Sequence, residues 1–85
     1  MKIIPAILAP NKKEFKKQWL HVADHFKYIQ IDIMDGEFVP AQTKINPYLI
    51  KNIIKNKDLE IHLMVKALSK YIATWSKIKN VKKII

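Results

Sequence analysis

A regular alternation between two patterns of apolar residues is the feature that most constrains the fold of this chain. Four short runs rich in β-branched residues are separated by three segments in which apolar residues recur every three or four positions. The first pattern is typical of buried strands and the second of amphipathic helices. Strands that alternate with helices form right-handed βαβ units and lie parallel in one sheet. The sequence therefore predicts an α/β fold.

The predicted elements follow this alternation along the whole chain. We expect strands at residues 3–9, 28–34, 59–65 and 81–85. Asn11 predicts the N-cap of the first helix, and Asn46 followed by Pro47 predicts the start of the second. The predicted buried stripes of the three helices are Phe15, Trp19, Val22, Ala23 and Phe26; Leu49, Ile50, Ile53 and Ile54; and Leu68, Tyr71, Ile72, Trp75 and Ile78.

These elements are fewer than a parallel barrel needs. A TIM (β/α)8 barrel has about 250 residues, so a chain of 85 residues corresponds to about a third of one. A parallel sheet with four strands would also leave open edges. We therefore expect residues 1–85 to form a single partial domain, made of the first three strand–helix units and the start of the fourth strand of a truncated barrel. A complete miniature α/β domain is the alternative.

Composition and charge exclude several classes of protein. The net charge of +9 would suit nucleic-acid binding, but all 16 basic residues are lysines, spread along the chain, and none is the arginine that favours bidentate phosphate recognition. We expect no nucleic-acid partner, and a Lys-rich nucleic-acid-binding domain stays as the alternative. The chain has no apolar run of about 20 residues. We therefore expect no membrane partner and a cytoplasmic location. Without cysteines there is no thiolate site.

Polar residues interrupt the second and third predicted strands at equivalent positions. Since side chains alternate between the two faces of a strand, Asp32 and His62 should both face away from the aliphatic rows that contact the helices. In a barrel, the rows that carry Asp32 and His62 would point inward from neighbouring strands, so a carboxylate and an imidazole would meet. Burying such groups is costly unless they are paired or bind a metal. The pattern leaves two interpretations open, a structural Asp–His hydrogen bond and a functional site.

Three segments resemble one enzyme family. Residues 31–40 (IDIMDGEFVP) resemble the D-x-M-D-G-x-F-V-P signature of ribulose-phosphate 3-epimerases. Residues 61–65 (IHLMV) resemble the H-L-M-V strand of that family, and residues 4–9 (IPAILA) resemble its opening P-S-I-L strand. The resemblance covers nearly the whole chain and implies a TIM-barrel isomerase of carbohydrate metabolism, in the pentose phosphate pathway.

The resemblance also implies a reaction and a site. Enzymes of this family epimerise ribulose 5-phosphate to xylulose 5-phosphate at C3 by a metal-assisted 1,1-proton transfer. By position, Asp32 corresponds to a residue that binds the metal and acts as acid/base, and His62 to a metal ligand. Met34 and Met64 correspond to methionines that line the substrate cavity. The implied cofactor is divalent Zn, Fe, Mn or Co, and the implied partners are a sugar phosphate and further copies of the full-length parent.

The sequence departs from the family pattern at three positions. Gln30 stands where the family has a metal-binding histidine, and an amide is a much weaker ligand. Ala6 replaces a serine that contacts substrate, and Ala41 replaces an asparagine. The second acid/base and the phosphate site are expected in later strands, so we expect this chain alone to be inactive. A non-catalytic barrel homologue, or a partial-barrel fragment that acts in assembly, is the alternative function. Asp35, beside Gly36, is expected to shape a turn.

Overall fold

In a computed structural model, which describes residues 4–37, 40 and 42–85, strands and helices alternate as predicted. The described elements are β1 (Ala6–Ile7), α1 (Lys12–Val22), β2 (Tyr28–Met34), α2 (Pro47–Ile54), β3 (Asp58–Met64), α3 (Leu68–Trp75) and β4 (Val81–Ile84).

The strands form one parallel sheet in the order β1-β2-β3-β4. The order along the sheet equals the order along the chain. The strands are parallel because each helix returns the chain to the same end of the sheet. The α/β prediction is confirmed, and the arrangement agrees with that of the N-terminal units of a TIM barrel.

One face of the sheet carries the hydrophobic core. The aliphatic rows of β2 and β3 are buried against the helices, as the alternation predicts. Trp19 and Trp75, predicted to be core residues, are 4% and 1% exposed, and Trp19 stacks on Phe15 with ring centroids 5.7 Å apart. The buried residues of this core are Ile7, Ala9, Phe15, Trp19, Ile29, Ile31, Ile33, Ile45, Ile50, Ile54, Leu59, Ile61, Leu63, Val65 and Trp75.

The first strand is shorter than the predicted range 3–9, of which residue 3 lies outside the described part of the chain. The strand ends at Ile7, because the backbone of Leu8 bonds to a side chain of α1 instead of to β2. Leu8 N donates to Gln18 Oε1 at 3.2 Å, and Gln18 Nε2 donates to Leu8 O at 2.9 Å. These two bonds fix the approach of the chain to α1.

Capping was predicted correctly for two helices. Asn11 Oδ1 accepts from Glu14 N at 2.9 Å, and Asn46 Oδ1 accepts from Leu49 N at 3.0 Å. Both side chains satisfy backbone N–H groups that have no partner within the helix.

The predicted stripes were too long at their ends. Phe26 lies beyond α1 and Ile78 beyond α3, although both still pack against the core from the following turns. Leu68 and Ile72 are 48% and 42% exposed, so the buried stripe of α3 is narrower than predicted. Leu49 is 39% exposed at the edge of the α2 face.

A strained turn connects α2 to β3. Lys55 has φ 51° and ψ −113°, which matches the first central residue of a type II′ turn, a position that favours glycine. Lys57 N closes this turn by donating to Ile54 O at 3.1 Å. Asn80 Nδ2 donates to both Lys55 O and Lys57 O at 2.8 Å, so the residue before β4 holds the turn in place.

Replacing Lys55 by glycine should stabilise the protein. Relief of the positive φ outweighs the added backbone freedom of glycine, and we expect Lys55→Gly to raise the free energy of unfolding by about 1 kcal/mol. Urea denaturation measures this change. In the matched control, Lys51→Gly within α2, the same substitution should lower stability by about 1 kcal/mol. An unchanged or lowered stability of Lys55→Gly would show that the turn is not strained.

Candidate functional site

The site lies on the sheet face opposite the core, where β2 and β3 pair. These strands run parallel with Asp32 opposite His62, and Asp32 Oδ1 lies 3.3 Å from His62 Nδ1. The side chain of Asp32 is 17% exposed and that of His62 is 38% exposed. The sequence therefore predicted correctly that these two side chains share a face and meet. The carboxylate is largely sheltered, whereas the imidazole is open to a ligand.

Gln30 joins this pair from the same strand as Asp32. Gln30 Nε2 donates to Asp32 Oδ1 at 2.7 Å. An ionised carboxylate can only accept hydrogen bonds, so the amide must present its NH2 group to Asp32. The same oxygen thus contacts both Gln30 and His62, and these two contacts fix the position of the carboxylate.

The layer of side chains nearer the amino ends of the strands is partly charged. Gln30 is in register with Ala6 on one side and Glu60 on the other. Glu60 is only 6% exposed, and its Oε1 lies 3.7 Å from Lys83 Nζ of β4. Side-chain alternation along β3 puts Glu60 on the same face as His62, but a single carboxylate in a strand gives no sequence signal that it will be buried and paired with a lysine. Ala6 offers no polar side-chain atom to a ligand.

The layer nearer the carboxyl ends is formed by two methionines. Met34 and Met64 are in register, and Met34 is 8% exposed. The backbone of Met34 is anchored by Thr43, whose Oγ1 accepts from Met34 N at 3.0 Å and whose N donates to Met34 O at 2.9 Å. Sequence reasoning missed this role, since a single threonine in a loop gives no pattern. Thr43 therefore holds the loop that follows β2 against the end of the strand.

Asp35 connects the ends of β2 and β3. Its Oδ1 accepts from Glu37 N and its Oδ2 from Lys66 N, both at 2.8 Å. Gly36 has a φ of 81°, which suits the turn predicted there. The structural role predicted for Asp35 is confirmed, and the bond to Lys66 extends it to the neighbouring strand. Ala41, one of the departures from the family pattern, lies outside the described residues.

Tyr28 begins the row of β2 that holds Gln30 and Asp32. Burial raises the pKa of the Tyr28 phenol above its ordinary value of 10.0, and the nearby carboxylates of Glu60 and Asp58 raise this pKa further. The phenol therefore stays neutral at physiological pH and adds no charge to this face.

Comparison with known families agrees with the geometry. A sequence model of the Ribulose-phosphate 3 epimerase family matches residues 2–85. The chain belongs to this family. The ribulose-phosphate 3-epimerase family comprises sugar-phosphate isomerases that use a divalent metal. Among the helices in residues 4–37, 40 and 42–85, none combines the length and the apolar character that crossing a bilayer requires.

Two side chains of this ribulose-phosphate 3-epimerase family member fit a divalent metal. First-row metal ions lie about 2.0–2.2 Å from nitrogen and oxygen ligands, so two ligands of one ion lie about 3 Å apart. The 3.3 Å between Asp32 Oδ1 and His62 Nδ1 suits such an ion. Within the described part of the chain, no group of three or more His, Asp or Glu side chains is placed to hold a metal. These residues therefore offer one oxygen and one nitrogen ligand.

Removing the hydroxyl of Thr43 should loosen the loop after β2. Thr43→Val leaves the buried N–H of Met34 without its side-chain partner, and we expect the free energy of unfolding to fall by about 1–3 kcal/mol. Urea denaturation measures the loss. The control is Thr74→Val, because the hydroxyl of Thr74 makes an exposed hydrogen bond to the carbonyl of Lys70 on the same helix, α3. This change should alter the free energy of unfolding by no more than about 0.5 kcal/mol. Equal effects of both substitutions would contradict the anchoring role of Thr43.

Proposed function

We propose that this chain contributes part of the acid/base and metal site of a ribulose-phosphate 3-epimerase, which converts ribulose 5-phosphate to xylulose 5-phosphate. The observation that carries the proposal is the contact between Asp32 and His62 from two adjacent parallel strands. A carboxylate and an imidazole so placed can take part in proton transfer and can also bind a metal. Family membership supports the sugar-phosphate substrate class.

Epimerisation at C3 exchanges one proton for another on opposite faces of the same carbon. In the proposed reaction, Asp32 takes the C3 proton as a base, and the electron pair of the broken C–H bond is delocalised onto the C2 carbonyl oxygen. A proton delivered to the other face of C3 completes the inversion. A divalent metal held by Asp32 and His62 would supply positive charge for the developing oxyanion. The second acid/base and the phosphate site would come from other strands of a barrel.

The contacts of Asp32 suit its proposed role as a base. The hydrogen bond from Gln30 and the contact with His62 hold Oδ1, so the carboxylate is positioned before substrate arrives. Preorganisation of this kind lowers the cost of reaching the reactive geometry. Only 17% of the Asp32 side chain is exposed, which limits competition from water.

Met34 and Met64 are the proposed walls of the substrate cavity. They form the layer directly above Asp32 and His62 toward the carboxyl ends of the strands, where the substrates of parallel barrels bind. Their flexible thioether side chains can adapt to a small ligand. Ala6, beside Gln30 on β1, leaves room on the same face and is a weaker candidate for substrate contact.

Neutralising Asp32 should abolish proton transfer. We expect Asp32→Asn to lower kcat by about 10²- to 10⁴-fold, since the amide cannot accept the C3 proton. The measurement is conversion of ribulose 5-phosphate, together with solvent deuterium incorporation at C3, on the longest polypeptide that the reading frame encodes. Assays contain added Mn²⁺, Zn²⁺, Fe²⁺ or Co²⁺. The control is Asp24→Asn, an exposed carboxylate in the turn after α1, which should leave kcat unchanged.

The same assay separates the enzyme from the alternative function. If the unaltered polypeptide shows neither conversion nor deuterium incorporation with any of these metals, the proposal is wrong. A non-catalytic barrel homologue, or a partial-barrel fragment that acts in assembly, then becomes the better interpretation. Gln30, an amide at the position where the family has a metal-binding histidine, is the observation that favours this second candidate.

A further inference from the structure

The amide of Gln30 is committed to Asp32 as a hydrogen-bond donor. Its Nε2 lies 2.7 Å from Asp32 Oδ1, and the carboxylate determines which end of the amide faces it. To bind a cation through Oε1 near the same carboxylate, the amide would have to turn and lose this bond. Gln30 therefore suits a role beside a metal ligand better than the role of a ligand.

The other neighbours of Gln30 do not supply the metal ligand that the family has at position 30. Ala6, in register with Gln30 on β1, has no side-chain atom that could bind a metal. Glu60, in register with Gln30 on β3, is buried beside Lys83, one layer below Asp32 and His62. Within the described residues, a cation at this site thus finds the carboxylate of Asp32 and the imidazole of His62. The rest of its coordination shell must come from water, substrate or more distant strands.

We propose that Gln30 acts from outside the metal's ligand shell, as a positioning residue that orients Asp32. Because position 30 then supplies no nitrogen ligand, the preference of the site for Zn²⁺ over Mn²⁺ is weakened. The inference rests on the metal site of the proposed function and assigns to Gln30 a role in metal selectivity.

The chemistry of the donor set gives the direction of this effect. Zn²⁺ in proteins takes few ligands and favours nitrogen and sulfur, with three protein ligands at catalytic sites. Mn²⁺ is well served by carboxylate and water oxygens. With one carboxylate and one imidazole from the protein, Mn²⁺ can complete its coordination with water more readily than Zn²⁺ can. The hydrogen bond from Gln30 strengthens the binding of both ions equally, because it orients Asp32, which is a ligand of either ion.

Metal titrations of the 85-residue chain and its variants test the proposal. Calorimetry gives the Mn²⁺ affinity, and competition with a chromogenic chelator gives the Zn²⁺ affinity. Gln30→His adds an imidazole, so we expect the ratio of Zn²⁺ to Mn²⁺ affinity to rise at least about tenfold. Gln30→Met keeps the size of the side chain but removes its hydrogen bond to Asp32. We expect the affinities for Zn²⁺ and Mn²⁺ both to fall by about 10- to 100-fold, with little change in the ratio of the two affinities.

Three controls restrict the interpretation to this site. Asn52→His places an imidazole on the exposed surface of α2 and should leave the ratio unchanged. Asp32→Asn, made as a single substitution, should abolish binding of both ions. Circular dichroism and urea denaturation show that each variant is folded. A ratio that does not respond to Gln30→His, or affinities that do not respond to Gln30→Met, would overturn the proposal.

A measurement on the unaltered chain avoids the question of folding. In the ¹⁵N-labelled protein, the side-chain NH2 resonance of Gln30 should remain protected from solvent exchange when diamagnetic Zn²⁺ is added, since the bond to Asp32 persists. Loss of that protection on metal addition would show that the amide turns and becomes a ligand. Absence of any Zn²⁺ or Mn²⁺ binding at Asp32 would overturn the role of Gln30, whereas turnover of ribulose 5-phosphate by the longest polypeptide would still support the proposed function.

Discussion

The in-register parallel pairing of β2 with β3 is the constraint on which the rest of the structure depends. Seven consecutive residues of each strand are paired, from Tyr28 opposite Asp58 to Met34 opposite Met64. A slip of one residue would place side chains of opposite faces beside each other, so Asp32 would oppose an aliphatic residue of the core. The aliphatic rows oppose such a slip, because they would lose their burial against the helices. The polar pair on the other face follows from this register.

The sheet tolerates polar groups on its second face because they are paired. Asp32 contacts both Gln30 and His62, and Glu60, almost fully buried, lies beside Lys83. A buried carboxylate without such partners would cost several kcal/mol. The contacts that offset the cost of burying these polar groups also fix the orientation of their side chains. Stability and a preorganised site therefore have a common origin on this face.

The ends of the strands are held by side chains from the loops that follow them. Thr43 anchors the backbone of Met34, and Asp35 bonds to the N–H of Lys66 beyond β3. At the opposite end of the sheet, Asn80 holds the strained turn at Lys55. Both ends of the β2–β3 pair are thus held by hydrogen bonds between residues that are not adjacent in sequence. These bonds keep the layer that contains Asp32 and His62 between two fixed ends.

The sequence by itself determined the order of strands and helices and the faces of β2 and β3 on which Asp32 and His62 lie, because periods of two and 3.6 residues are local properties of the chain. The in-register pairing of the two strands then brought Asp32 and His62 together. Tertiary structure alone decided that β1 ends where the backbone of Leu8 bonds to Gln18. It also decided which apolar residues of α3 are buried. It also decided that Gln30 donates to Asp32 and that Glu60 is buried. Those outcomes depend on partners distant along the chain, and no local pattern records which group will lie within hydrogen-bonding distance.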